Sequence, residues 1–218
     1  MNASQRGVAA PYFLVVHFTG GNGSAAATAA YMARKGNSVH GIVDRSGDVE
    51  EPVPLDATAW HAGDHTKNYK GGSRFPALEQ LSASPYTSIC DVPYRRRFVN
   101  EHSVGVELCN AGHLLGKQGP YMAARHRNPA SRSTQWQEYT DAQIGSLVSL
   151  VQRWRLHQPA LLYVTGHEDV TNRHTLGRTG GKVDPGPAFP WSEFCAETGL
   201  RRVMFDFNAP GWRTLEVT

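Results

Sequence analysis

The chain has 218 residues, 40% of them hydrophobic and 19% charged, which suffices for one globular domain with its own core. A formal net charge of +3 brings no Lys/Arg run long enough for a nucleic-acid arm, and Arg95-Arg96-Arg97, the densest cluster, reads as solvated surface. Three cysteines without CxxC spacing exclude a disulfide framework or zinc ribbon, and no stretch reaches the roughly 18 apolar residues of a membrane span.

The N-terminus lacks the roughly 7–15 apolar residues of a secretory signal, which predicts synthesis in the cytoplasm. Action in the periplasm or cell wall would then need release or dedicated export. Tyr12 to Val16 is a continuous apolar, β-prone run and predicts a buried strand ending at His17. Gly20 to Gly23 breaks the chain, and Ser24 can cap a helix over the Ala-rich segment Ala25 to Arg34. Val39 to Val43 and Val49 to Val53 predict a hairpin around Arg45-Ser46-Gly47-Asp48. Residues 64–99 show no sustained period and read mostly as loop. Ser103 to Cys109 alternates as a strand, and 116–137 again looks irregular. Thr140-Asp141-Ala142-Gln143 has the form of a capping box. Ile144, Leu147, Val148, Val151 and Trp154 continue it as an amphipathic helix to about Leu156. Pro159 ends that helix, and Ala160 to Thr165 predicts another strand. The alternation predicts a single α/β domain with two long surface loops.

Several residues at these element ends suit hydrolytic chemistry. His17 and His167 each close an apolar strand, where a histidine is either a satisfied core-edge residue or a ligand facing a cleft. Asp184 precedes Pro185-Gly186, which by itself reads as a turn. It lies 17 positions beyond His167 across a glycine-containing loop, so it can return to the same site as a third ligand. Two histidines and a carboxylate would leave the open position that catalytic zinc requires. Glu107, flanked by Val106 and Leu108, points away from the apolar face, to solvent or into a cleft as general base. Lys182 is either a surface lysine or an oxyanion partner. His167-Glu168-Asp169-Val170-Thr171 is not HExxH, and the deaminase signature is absent.

Seven blocks in order then carry a family resemblance. They are Val15 to Thr19, Val39 to Gly47, Ala59 to Gly63, Asn100 to Leu108, Tyr139 to Gln143, Thr165 to Asp169, and Lys182 to Trp191. In these the chain resembles the zinc-dependent N-acetylmuramoyl-L-alanine amidases (amidase type 2, related to peptidoglycan recognition proteins). The resemblance implies an α/β domain with a central mixed β-sheet flanked by helices. The blocks run from about residue 12 to 194; the catalytic domain is expected at 1–198, with 199–218, too short for a domain of its own, as a C-terminal extension packed on it. The resemblance implies Zn2+ on His17, His167 and Asp184, with Glu107 and Lys182 catalytic and Trp60 and His61 bordering the substrate groove. His40 matches a frequent family histidine but receives no ligand role. Val39 stands where some members have a site tyrosine, so that role is not carried over. The loop 172–181, with Arg173, His174 and Arg178, is longer than usual in the family. The implied reaction cleaves the amide between N-acetylmuramic acid and L-alanine in peptidoglycan or muropeptides, with no nucleic acid and no membrane insertion. An exported antibacterial effector would also need an immunity or inhibitor protein. The rival from another class is a non-catalytic peptidoglycan-binding module.

Overall fold

The structure is a computed structural model that describes residues 1–6, 10–62, 98–113, 119–126, 131–170, 182–204 and 213–214. In chain order its first half contains β1 (Ala3–Gln5), β2 (Phe13–Phe18), α1 (Ala25–Lys35), β3 (Gly41–Val43), β4 (Val49–Glu50) and β5 (Ala57–Ala59). There follow α2 (Phe98–His102), β6 (Ser103–Leu108), β7 (Tyr121–Ala123), β8 (Gln135–Gln137) and α3 (Asp141–His157). β9 (Tyr163–Gly166), α4 (Trp191–Thr198), β10 (Arg201–Met204) and β11 (Arg213–Thr214) complete the elements of the described residues.

An apolar run such as Phe13 to Val16 has no polar side to offer water, so its strand must be covered on both faces. β2 accordingly lies in the middle of a seven-stranded sheet of order β11-β10-β9-β2-β6-β3-β4. β10, β9, β2, β6 and β3 run parallel, while β11 and β4 are antiparallel at the edges. The sheet is mixed, as expected. Two small antiparallel pairs, β1 with β5 and β7 with β8, stand beside it.

Side chains alternate along a strand, so each strand divides its residues between two faces. Leu14 and Val16 of β2, Val104, Val106 and Leu108 of β6, and Val164 of β9 form one buried cluster. Leu147, Leu150, Val151 and Trp154 of α3 and Phe194 of α4 belong to the same cluster. Gly41 permits this contact, because a Cβ there would lie 2.8 Å from the Trp154 ring and 2.9 Å from Leu150. On the other face, Ile42 and Cys109 meet Ala25 and Met32 of α1.

Two helix starts follow from capping. Ser24 Oγ accepts from Ala27 N–H at α1, and Thr140 Oγ1 accepts from Gln143 N–H at α3. The return bond of a capping box is not made: Gln143 Oε1 has no partner among the described residues, and the amide is turned inward, its Nε2 donating to the carbonyls of Val43 and Cys109, 2.9 and 3.3 Å away. Gln143 is fully buried, and satisfying two strand-end carbonyls there outweighs a bond at a helix start that water can also serve.

Other expectations are adjusted in detail. The 116–137 region, read as irregular, contains the β7–β8 hairpin, whose three-residue strands are too short to show a period. α4 was not foreseen because Pro190 at its N-cap makes no side-chain capping bond, which removes the usual start signal. β10 adds to the central sheet beside β9, joining the first residues after Gly199 to the same body. Residues 64–97 of the first expected loop, with Arg95, Arg96 and Arg97, lie outside the described residues. So does the expected loop 172–181 with Arg173, His174 and Arg178. Among the described residues no helix is long and apolar enough to cross a membrane.

Candidate metal centre and active site

Three neighbouring parallel strands, β9, β2 and β6, bring their C-terminal ends to one edge of the sheet, where α/β sheets commonly bind ligands. His17 is the fifth residue of β2 and pairs in register with Glu107 of β6. His167 follows directly on β9, its N–H bonded to the Val16 carbonyl at 3.1 Å. Strand pairing alone therefore places His17 between His167 and Glu107.

Asp184 arrives from the opposite direction on a turn that the strand end grips. The Glu168 N–H donates to the Asp184 carbonyl at 2.8 Å, and Tyr139 Oη donates to the Pro185 carbonyl at 2.8 Å. Gly166 and Gly186 make this fit possible. A Cβ on Gly166 would lie 2.7 Å from Pro185 Cδ, and one on Gly186 would lie 2.8 Å from the Trp136 ring. Gly186 also has φ 75°, in the left-handed region.

The result is a triangle of donor atoms. His17 Nδ1 lies 2.9 Å from His167 Nδ1 and 3.1 Å from Asp184 Oδ2, and the third side measures 2.9 Å. All three side chains are buried. A carboxylate oxygen has no proton to give, and two imidazole nitrogens facing each other cannot both donate. One metal ion shared by the three atoms would satisfy all of them at once, whereas without it the two Nδ1 atoms compete for the same carboxylate oxygen. Among the described residues this is the one cluster of His, Cys, Asp or Glu that could hold a metal ion. Three protein ligands of this type leave a fourth position open, the pattern of a catalytic rather than a structural site.

The electrostatics agree with that use. Burial pushes the Asp184 carboxyl up, but the neighbouring His167 and His17 outweigh it and hold the group well below the usual carboxylate range. Burial and the charge of His167 lower the His17 imidazole, favouring the neutral form that ligates metal. Glu107 moves the other way: burial raises its carboxyl to about 7, with His17 and Lys182 opposing and Asp184 adding to the rise. Glu107 Oε2 is buried and has no hydrogen-bond partner among the described residues. A carboxylate poised near neutrality with a free lone pair is equipped to take and return a proton. Lys182 is exposed, two residues before Asp184, and its charge reaches Glu107.

The remaining expected residues divide. Trp60 is half-buried, its backbone N–H donating to Ser38 Oγ at 2.7 Å. His61 stands against the metal triangle, with Nδ1 2.9 Å from His17 Nε2 and Nε2 3.1 Å from Ser103 Oγ. His40 is fully buried away from the triangle. Its Nδ1 accepts from Gly105 N–H at 3.0 Å, which leaves Nε2 to donate to the Ala57 carbonyl. Burial lowers its pKa to about 3, so it serves as a neutral structural tie. Asn100, Ser103 and Tyr139 lie in the matching sequence blocks but received no role there, and Trp136 lies outside them; all four hold the site from behind. One signal was present: a lone glycine inside a strand, Gly105, marks a close approach.

Comparison with known proteins follows the same lines. The profile of the N-acetylmuramoyl-L-alanine amidase family matches residues 7–187. The 1,6-anhydro-N-acetylmuramyl-L-alanine amidase AmpD of Enterobacter cloacae is 29% identical over 168 residues, covering 77% of this chain and 60% of that protein. The AmpD of Salmonella typhimurium strain LT2 is 27% identical over 75% of this chain and 58% of its own length. The chain thus spans about three-fifths of the length of the curated relatives it matches. Among solved structures, a selenomethionine AmpD derivative superposes with a TM-score of 0.53 at 24% identity, covering 90% of this chain and 89% of that one. The N-acetylmuramyl-L-alanine amidase AmiD from E. coli, in complex with anhydro-N-acetylmuramic acid-L-Ala-D-gamma-Glu-L-Lys, gives 0.53 at 23% identity over 90% of this chain and 61% of that one. These structural likenesses establish the fold. With the profile extending over most of its length, the chain belongs to the N-acetylmuramoyl-L-alanine amidase family.

Proposed function

We propose that this protein is a zinc-dependent amidase that hydrolyses the bond between the lactyl group of N-acetylmuramic acid and the L-alanine of the stem peptide, in peptidoglycan or muropeptides. The observation that carries the reading is the convergence of His17, His167 and Asp184 beside a carboxylate, Glu107, in register on the adjoining strand. AmpD is named for an anhydromuramyl substrate, and AmiD was solved with such a fragment, which supports this substrate class.

Zinc held by the two imidazoles and the carboxylate would supply a Lewis acid for the scissile carbonyl and lower the pKa of water toward about 7. Glu107 takes the proton of the attacking water on Oε2 and returns it to the departing amine of L-alanine. A carboxyl near neutrality does both, since it neither holds the proton too tightly nor surrenders it too soon. Lys182 supports the negative charge that develops on the carbonyl oxygen. Trp60 forms a wall of the substrate groove.

Replacing Glu107 by alanine tests this directly. The variant should bind zinc with wild-type stoichiometry yet release stem peptides from purified sacculi and from anhydro-muropeptides about 10²–10⁴-fold more slowly. Wild-type cleavage by Glu107→Ala would remove Glu107 from its role. A wild-type protein that retains muropeptides but never cleaves them would identify a binding module instead. The ratio of rates on sacculi and on soluble anhydro-muropeptides separates wall lysis from fragment recycling.

A further inference from the structure

The hydrogen bonds behind His17 have only one consistent direction. The Val99 carbonyl can only accept, and Ser103 Oγ lies 2.5 Å from it, so the serine hydroxyl proton points there. Ser103 Oγ is then an acceptor toward His61 Nε2, which must carry the proton of that ring. His61 Nδ1 is left with a lone pair, and at 2.9 Å it accepts from His17 Nε2–H. That proton leaves His17 Nδ1 bare, and Nδ1 is the atom facing His167 and Asp184.

The rest of the fold holds His61 in this orientation. Asn100 Oδ1 accepts from the backbone N–H groups of both His61 and Ala62, at 3.1 and 2.9 Å. Gly105 gives the ring its seat, since a Cβ there would lie 2.5 Å from His61 Cγ. Ser103, Gly105 and Glu107 alternate onto one face of β6, so a single strand supplies the acceptor, the clearance and the carboxylate.

We propose that His61 is a positioning residue for the metal centre, and that a relay from the Val99 carbonyl through Ser103 and His61 locks His17 in the tautomer that presents Nδ1 to the metal. This rests on the metal reading of His17, and it gives His61 a part other than contact with substrate. Partners of this kind typically contribute 10–100-fold to metal affinity.

The test uses the whole chain, with zinc affinity measured by chelator competition and the His17 tautomer read in the metal-free protein from long-range ¹H–¹⁵N spectra. Wild type should show the His17 proton on Nε2. His61→Leu should mix the tautomers and weaken zinc binding by about 10–100-fold. Gly105→Ala, which leaves both imidazoles intact but crowds the ring, should shift both readouts the same way. His61→Asn places an amide oxygen where Nδ1 stood and should restore most of the affinity and the tautomer. The proposal is overturned if His61→Leu binds zinc as wild type does with the tautomer unchanged. It is equally overturned if His61→Asn, folded by circular dichroism, recovers neither. A wild type that binds no zinc would sink the metal centre along with this relay. Full activity in Glu107→Ala would leave the relay standing.

Discussion

The face of the central sheet under α3 and α4 and the candidate site on its opposite face are held together by different forces, although they belong to the same strands. Leu14, Val16, Val104, Val106 and Leu108 meet α3 and α4 through apolar contact that has no preferred direction. One residue along, His17, Ser103, Gly105 and Glu107 turn to the other side, where, beside the apolar packing of Ile42 and Cys109 on α1, the contacts of the site are directed hydrogen bonds and charges. The first arrangement tolerates repacking at constant volume; the second fails if one nitrogen carries its proton on the wrong side. A slip of one residue in register would exchange the two sets, so the core that stabilises the sheet also aims the site.

Three substitutions would sharpen or break this contrast. Trp154→Ala empties a fully enclosed position on the apolar face and should cost about 3–5 kcal/mol of unfolding free energy in denaturant titration. Zinc affinity of the remaining folded protein should stay near wild type, and a large drop in it would show the faces to be coupled. Lys182→Ala should do the reverse. Its rate of stem-peptide release should fall about 10²–10³-fold, equivalent to about 3–4 kcal/mol in the barrier, with the unfolding midpoint unmoved. An unchanged rate would take Lys182 out of the reaction.

The smallest effect concerns pH. Glu107 has its folded pKa raised from 4.5 to about 7, so between those values the folded state holds a proton that the unfolded chain has lost. In the metal-free protein this lowers stability as pH rises from about 4.5 to about 7, after which the loss is complete. Glu107→Gln should remove that decline and gain about 1–2 kcal/mol at pH 8, a value discounted because Glu107 as a whole is only half-buried, although its Oε2 is enclosed. A pH–stability curve identical to wild type would show that burial of Glu107 costs nothing. In the zinc form a neighbouring cation favours the charged carboxylate. The acid limb of activity should therefore lie below pH 7, with rate rising as Glu107 loses its proton.

Much of this was written locally. The apolar run of β2, the alternation of β6 and the 3.6-residue spacing of α3 are statements about periodicity, and one chain segment suffices to make them. The caps at Ser24 and Thr140 are likewise local chemistry. The hairpin of β7 and β8 and the uncapped α4 were not legible, because three-residue strands carry no period and Pro190 offers no capping side chain. Gln143 shows the limit most clearly. Its spacing from Thr140 spells a capping box, yet the nearby carbonyls of Val43 and Cys109, distant in sequence, claim its amide.

The site divides the same way. The sequence by itself determined which residues are candidates, since His17, His167, Asp184, Glu107 and Lys182 are residue types that suit the proposed chemistry. Only the tertiary structure decided which of their atoms meet. The Nδ1 faces of two histidines, the register of His17 with Glu107, and the seat of His61 over Gly105 depend on strands brought together from remote parts of the chain. Residue type is fixed by the chain alone, but the direction of a lone pair is fixed by whatever the fold places behind it.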